Sequence, residues 1–388
     1  MLPNQECTGC AACMNACALG CVTMQPNAQG FLYPAIDAAR CVRCGACEQV
    51  CPVCVPAEKR PLPQRVLAAR VRDAAALEQS ASGGIAWLLA DTWLRAGGVV
   101  YGAAFDEAMV LHHIRVTDAA KLERLQGSKY VQSDVQAIYP LLREDLRAGR
   151  EVLFFGTPCQ AAGIRKTFGE YDDLMLCDLV CHGVPSPKLF AEHIRCIETS
   201  GKRVRDYRFR DKALGWSYQL HRIVYRDGSS ELHSYWNQCY KRLYLLNLIE
   251  RESCYHCPYK DVRRVSDITL GDYWGVDRIN RQFSDDRGVN VVFLNTKKAL
   301  SRFFPIFQEK AAFVETSLED ALQKHLIMPC AKTEQVAAFW RCYEETSYRS
   351  AAEAFAGGYR YLTVRNRVKD FLRAHGVLEH LHRRGSRG

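Results

Sequence analysis

Cys7-Thr8-Gly9-Cys10-Ala11-Ala12-Cys13-Met14-Asn15-Ala16-Cys17 is answered 34 positions later by Cys41-Val42-Arg43-Cys44-Gly45-Ala46-Cys47-Glu48-Gln49-Val50-Cys51. Each copy has the spacing C-x2-C-x2-C-x3-C, and a fixed period in the cysteines marks a duplicated unit. The chain carries 19 cysteines in 388 residues, so the first question is whether they are bridges, ligands or nucleophiles. Met1 to Gly30 has no basic segment followed by an apolar run of the kind that directs export. The expectation is a reducing, cytoplasmic setting, where clustered thiols serve as metal ligands. The best candidate for a membrane span, Ile85 to Leu94, is short and ends in Arg95, so no transmembrane segment is expected. Structural zinc competes as an assignment, but zinc sites normally draw on two C-x2-C pairs, not a duplicated run of four.

The run resembles the bacterial two-cluster ferredoxins over residues 5–56. Three closely spaced thiolates on a tight loop can take three corners of a cubane, while the fourth reaches the neighbouring cluster. By that resemblance Cys7, Cys10, Cys13 and Cys51 hold one 4Fe-4S cluster, and Cys41, Cys44, Cys47 and Cys17 hold the other. Gly9, Ala11, Ala12, Gly45 and Ala46 are small enough to let the loops wrap closely and offer backbone amides to the sulfides. Pro52 follows the last cysteine of the second copy, whereas Ala18 stands in that place in the first. Cys21 and Cys54 fall outside the pattern; spare ligands are one assignment, and small buried side chains are the plainer one.

Pro56, Pro61 and Pro63 bracket a linker at 58–65, which sets a module at 1–57 apart from a region of different texture. Beyond it, helical and strand-like stretches alternate. Helices are predicted at Gly84–Ala96, Ala119–Leu125 and Val135–Ala148, and strands at Gly98–Phe105, Glu151–Phe155 and Leu174–Val180. The fold class read from this is an α+β ferredoxin-like N-terminal module followed by an α/β flavin-binding domain with a mixed sheet. The net charge of +9 is concentrated at Lys202–Arg210, Arg263–Arg264 and Arg365–Arg387. No zinc-finger, helix-turn-helix or RNA-binding signature goes with it, so no nucleic-acid partner is expected.

Several short stretches carry chemistry. Ser80-Ala81-Ser82-Gly83-Gly84 opens the first apolar helix and offers backbone amides to a phosphate, or is simply a serine cap on a glycine loop. Gly127-Ser128-Lys129-Tyr130-Val131-Gln132-Ser133 gathers polar groups suited to a polar ligand or to a surface loop. Cys159, in Gly156-Thr157-Pro158-Cys159-Gln160, and Cys181, before His182, both follow strands, at the carboxyl edge where open α/β sheets bind ligands. Cys254 and Cys257 form a lone C-x2-C, which Cys159 and Cys181 would complete. A zinc knuckle and a redox dithiol compete for that pair.

Taken with Val180-Cys181-His182-Gly183-Val184-Pro185-Ser186 and Ser266-Asp267-Ile268-Thr269-Leu270-Gly271-Asp272-Tyr273-Trp274-Gly275, these motifs resemble the family of coenzyme F420 hydrogenase/dehydrogenase beta subunits over residues 65–345. The resemblance implies a domain at 66–345 that binds FAD and a third 4Fe-4S cluster, with Cys159, Cys181, Cys254 and Cys257 as ligands. It places the flavin along Ser82, Gly83, Gly84, Lys129, Tyr130, Gln132, Ser133, Gly156, Thr157, Asp267, Thr269, Gly271 and Asp272. Lys129 is the candidate cation near the flavin, and a surface lysine is the plainer assignment. His182 is the candidate proton donor, and a local hydrogen bond is the plainer one. The implied activity is an iron–sulfur flavoprotein oxidoreductase. It relays electrons from ferredoxin or another redox protein, through the clusters and FAD, to a small organic acceptor, coenzyme F420 or another two-electron substrate. Two alternatives stay open, an electron-transfer subunit of a larger complex without a substrate of its own and a zinc-stabilised interaction protein; oligomeric state is open too. Residues 346–388 are expected as a basic tail, with an amphipathic helix from Thr363 that packs on its own domain or meets a partner or membrane surface. Cys196, Cys239, Cys330 and Cys342 lie at no ligand spacing and are read as structural.

Overall fold

The computed structural model describes residues 2–198, 201–232 and 234–358. The amphipathic helix expected from Thr363 lies outside them. The first copy of the repeat forms a short helix, α1 (Ala12–Ala16), followed by a hairpin of β1 (Val22–Pro26) and β2 (Leu32–Ile36). The second copy forms α2 (Ala46–Gln49). The main sheet is then built from β3 (Arg65–Val71), β4 (Val99–Phe105), β5 (Leu111–Val116), β6 (Val152–Gly156) and β7 (Leu174–Leu179). A small three-stranded sheet contains β8 (Val204–Asp211), β9 (Leu220–Tyr225) and β10 (Ser230–Leu232). The main sheet is completed by β11 (Ile268–Asp272), β12 (Asn290–Leu294) and β13 (Ala311–Glu315).

The eight strands run in the order β13-β3-β12-β11-β7-β6-β4-β5. Strands β4, β6, β7 and β11 pair in parallel, and antiparallel neighbours close both sides, so the sheet is mixed and the fold is α/β. The parallel centre follows from its composition. Val152-Leu153-Phe154-Phe155 and Leu174-Met175-Leu176-Cys177 are apolar at every position, as strands covered on both faces must be. Alternation divides them between two cores. Leu153, Met175 and Cys177 join one with α4 (Ile85–Arg95), a helix that follows α3 (Ala74–Gln79). Val152, Phe154, Leu174 and Leu176 join the other, which also contains Cys10, Ala11, Ala12 and Cys13. Two more helices flank the sheet strands, α5 (Ile138–Arg147) and α6 (Pro158–Phe168).

The described chain divides into two compact units. The first comprises Met1–Ala191, Arg208–Leu220 and Glu250–Ala331, and holds every residue of the candidate site below. The second is mainly helical with strands of the small sheet; in it His193, fully buried, is bonded by the Tyr348 and Tyr207 hydroxyls. Among the described residues no helix is long and apolar enough to cross a membrane.

Ala119–Leu125 is a 3-10 helix, and Ala137 with Ile138 open α5 later than the apolar pattern predicts. Cys21 is buried as expected, but Cys54, in the turn after Pro52, is exposed.

Candidate functional site

Cys7, Cys10 and Cys13 from the first copy and Cys51 from the second line one pocket, walled also by Thr8, Met24 and Pro34. All four cysteines are buried. Burial pushes the Cys13 thiol up to about 12, with Cys7 and Cys51 adding to it, and raises Cys7 and Cys10 as well. Thiols so placed give up their protons to a cation, and binding iron is what would hold them as thiolates. Among the described residues no three His, Cys, Asp or Glu side chains are set to grip a single ion. The four thiols stand around a volume, and a cubane has volume. The Thr8 hydroxyl on its wall is buried with no protein partner, a donor for a sulfide.

One side of this cavity is held by Arg251, which is fully buried. Its Nε donates to the Cys7 carbonyl at 2.6 Å, Nη2 to the Leu32 carbonyl at 2.9 Å and Nη1 to Gln132 Oε1 at 3.0 Å, and its guanidinium lies 4.2 Å from the Tyr33 ring centre. These three acceptors are neutral. A buried cation among neutral acceptors is costly unless an anion lies close by, which suits an anionic cluster. Gly9 makes the approach practicable, since its φ is +72° and a Cβ there would stand 2.9 Å from Arg251 Nη1 and 2.8 Å from Gln132 Nε2.

The second copy is set differently. Cys44 is exposed, and Cys41, Cys47 and Cys17 are partly so. The Cys47 thiol is raised, first by burial and in smaller part by Cys17, which places the two near each other. The Cys17 thiol is held down by the amide of Cys21, 3.2 Å away.

Cys159 is the second residue of α6 and Cys181 follows β7, so parallel pairing of β6 and β7 brings both to one sheet edge. Cys254 lies within and Cys257 just beyond the 3-10 turn Glu252–His256. The four thiols act on one another. Burial, then Cys257, and further down Cys181 push Cys159 up to about 12. Burial also lifts Cys254, with Cys181 and Cys159 adding. Cys181 rises to about 11, opposed by the charge of Lys260, whose Nζ donates to the carbonyls of Cys181, His182 and His325. Cys330, read from spacing as structural, stands in the same neighbourhood: its thiol is pushed up to about 12 by burial, then Glu250, with Cys181 contributing.

The residues proposed to line a flavin fall into three groups. Ser82, Gly83, Gly84, Gly271, Asp272 and Tyr130 lie toward the carboxyl edge of β11. A Cβ on Gly83 would meet the Ala69 carbonyl at 2.6 Å, and one on Gly84 would meet Val71 at 2.6 Å, so this glycine pair also serves close packing of loop on strand. Gln132, Ser133, Gly156 and Thr157 cluster beside the Cys159 turn: Gln160 Nε2 donates to the Ser133 hydroxyl at 3.1 Å, and the Thr157 hydroxyl is 3.2 Å from the Cys159 sulfur. Asp267 and Thr269 stand elsewhere. Asp267 precedes β11, at the opposite edge, paired with Arg165 at 3.1 Å, and Thr269 is buried in mid-strand and donates to Asp178 at 2.6 Å. Lys129 Nζ is taken up by the carbonyls of Leu125, at 3.0 Å, and Gln126, at 2.8 Å, which cap the 3-10 helix. His182 Nδ1 lies 3.2 Å from His325 Nε2, whose ring burial holds down to about 4.

Sequence reasoning missed Arg251, Tyr259, Lys260 and Arg210. The first three flank the C-x2-C of Cys254 and Cys257 within three positions, and that proximity was the available signal. Arg210 had none. It is buried, its guanidinium bonds Asp272 and the Tyr130 hydroxyl, one of its terminal nitrogens is buried without a partner, and it faces Trp274, which stacks on Trp216 at 4.4 Å.

Two sets of neighbouring thiols, the buried Arg251 beside the first of them and a mixed α/β sheet fit an iron–sulfur protein of the oxidoreductase class. Residues 6–55 match the 4Fe-4S dicluster domain, and residues 149–317 match the family described as the C terminus of the coenzyme F420 hydrogenase/dehydrogenase beta subunit. The chain thus joins a dicluster domain to a domain of that family. It is similar to the F subunit of the F(420)H(2) dehydrogenase of Methanosarcina mazei, at 23% identity over 81% of this chain and 86% of that protein. A chain in the F420-reducing NiFe hydrogenase complex from Methanosarcina barkeri aligns with a TM-score of 0.47 at 18% identity, over 67% of this chain and 84% of that one.

Proposed function

We propose that this chain is the electron-transfer subunit of a larger redox complex, and that it holds three 4Fe-4S clusters, two in a module at 1–57 and one in the domain at 66–345. In this reading Cys41, Cys44, Cys47 and Cys17 hold an outer cluster, Cys7, Cys10, Cys13 and Cys51 an inner one, and Cys159, Cys181, Cys254 and Cys257 the third. The observation that carries it is Arg251, a fully buried guanidinium that binds the Cys7 carbonyl and whose charge also acts on Cys159. A cation so placed serves two anionic clusters at once. Bound clusters supply one-electron steps. The chain's own residues do the rest: the exposed Cys44 loop meets the redox partner, while burial keeps water from the inner thiol set.

A second reading, favoured by the unpartnered buried nitrogen of Arg210 beside Tyr130, Asp272 and the paired tryptophans, adds FAD at the carboxyl edge of β11. The chain would then pass two electrons to an organic acceptor, coenzyme F420 among the candidates. Gly271, Asp272, Tyr130, Ser82, Gly83 and Gly84 would line that site, with Arg210 in the cationic role first given to Lys129. Anaerobic purification with iron and flavin quantified separates the readings. The expected result is about twelve irons per chain, four per cubane. Flavin in equal amount to protein would favour the second reading, and about eight irons would remove the third cluster.

A further inference from the structure

We infer that the Tyr259 hydroxyl is a hydrogen-bond donor to a cluster sulfur at the junction between the inner and third clusters, and that it raises the reduction potential of the cluster it meets. The inference rests on the three-cluster reading above. Tyr259 is the second residue after Cys257, and its carbonyl is fixed by Arg264 Nη1 at 2.9 Å. The side chain is buried, 7% exposed, and its hydroxyl has no hydrogen-bond partner in the protein. Phenol hydroxyls in protein interiors find acceptors, and an orphaned one needs an explanation in an absent group. The surroundings say which group. The ring is buried in the core that contains Cys10 and Cys13 of the inner set, and Cys159 and Cys257 of the third set pack against that same core.

The two sets meet along α6, which carries Cys159. A Cβ on Gly163 of that helix would stand 3.0 Å from the Cys10 sulfur, so glycine is what lets the helix lie against the inner loop. Tyr139 offers a contrast in the same core: its hydroxyl already donates to the Cys10 carbonyl at 2.7 Å and has no call on a sulfur. A donor aimed at a cluster sulfur favours the reduced, more negative state.

The test is potentiometric EPR on the anaerobically purified full chain, wild type against Tyr259→Phe, with iron quantified in both. The expected result is full iron content and a reduction equilibrium of the inner or third cluster less favourable by a factor of roughly ten, the worth of one hydrogen bond, which is about 59 mV for one electron. The outer cluster should not move. Full iron with all potentials unchanged overturns the inference and leaves the three-cluster reading standing, whereas about eight irons in the wild type overturns both. Should the phenylalanine variant fail to assemble, resonance Raman of the wild type decides: iron–sulfur bands that shift in deuterated water support the donor, and bands that do not shift refute it.

Discussion

The two copies of the repeat have one spacing and two environments. Their loops turn alike, with Ala11 at φ +60° and Gly45 at φ +77° occupying the same place before a short helix. Yet α1 buries Ala12 and Cys13 in the core shared with β6 and β7, while α2 has no buried residue. Spacing therefore encodes what the loops can bind, and surroundings encode what each site is for. An exposed site can meet a partner, and a buried one beside Arg251 and Cys159 can hand electrons inward.

The largest effect expected from this contrast comes from removing one ligand on each side. Cys10→Ser and Cys44→Ser should each lower iron by about four per chain. Cys44→Ser should leave the third cluster reducible by a small, strong chemical reductant and the fold near its original melting temperature. Cys10→Ser should disconnect the third cluster from a protein donor and lower the melting temperature, since it empties a cavity inside the main core. Equal behaviour of the two variants would erase the distinction between inner and outer copies.

A smaller effect concerns pH. His113 is buried, its Nε2 lies 2.8 Å from the Phe155 carbonyl and its Nδ1 2.8 Å from the Ser133 hydroxyl, and burial holds its pKa down to about 4 from 6.5. Between those values the unfolded chain binds a proton that the folded chain refuses, so stability falls as pH drops from about 6.5 to about 4. The loss should approach about 3 kcal/mol for this group and be much reduced in His113→Gln, as read by denaturant unfolding at stepped pH. No histidine occurs before His112, so neither copy of the repeat has such a liability of its own and the pH effect belongs to the main sheet.

The smallest expected effect is on the outer loop alone. Gly45→Ala meets no atom within 4 Å, so its cost is that of the left-handed backbone, about 1 kcal/mol, seen as faster loss of iron to a chelator. Ala11 already bears that conformation in the buried copy.

The parallel centre of the sheet was legible because Val152–Phe155 and Leu174–Cys177 are apolar throughout, and the cysteine repeat was legible because its period holds to the residue. Cys159, Cys181, Cys254 and Cys257 could be nominated from strand ends and from resemblance. Cys330 could not, since only the folding of the chain brings it to Cys181. Arg251 and Arg210 were invisible for the same reason: an arginine in a sequence reads as solvated, and what buries these two is contributed by segments far from them in the chain. Asp267 and Thr269 fell within a motif but serve the sheet, Asp267 by pairing with Arg165 and Thr269 by bonding Asp178.

The most direct test of the central claim is pulsed EPR of the chain reduced in steps, which reads magnetic coupling between clusters. Coupling between the inner and third clusters should persist in Cys44→Ser and vanish in Cys10→Ser. Coupling that survives in Cys10→Ser and disappears in Cys44→Ser would put the second copy beside the third cluster and contradict the account.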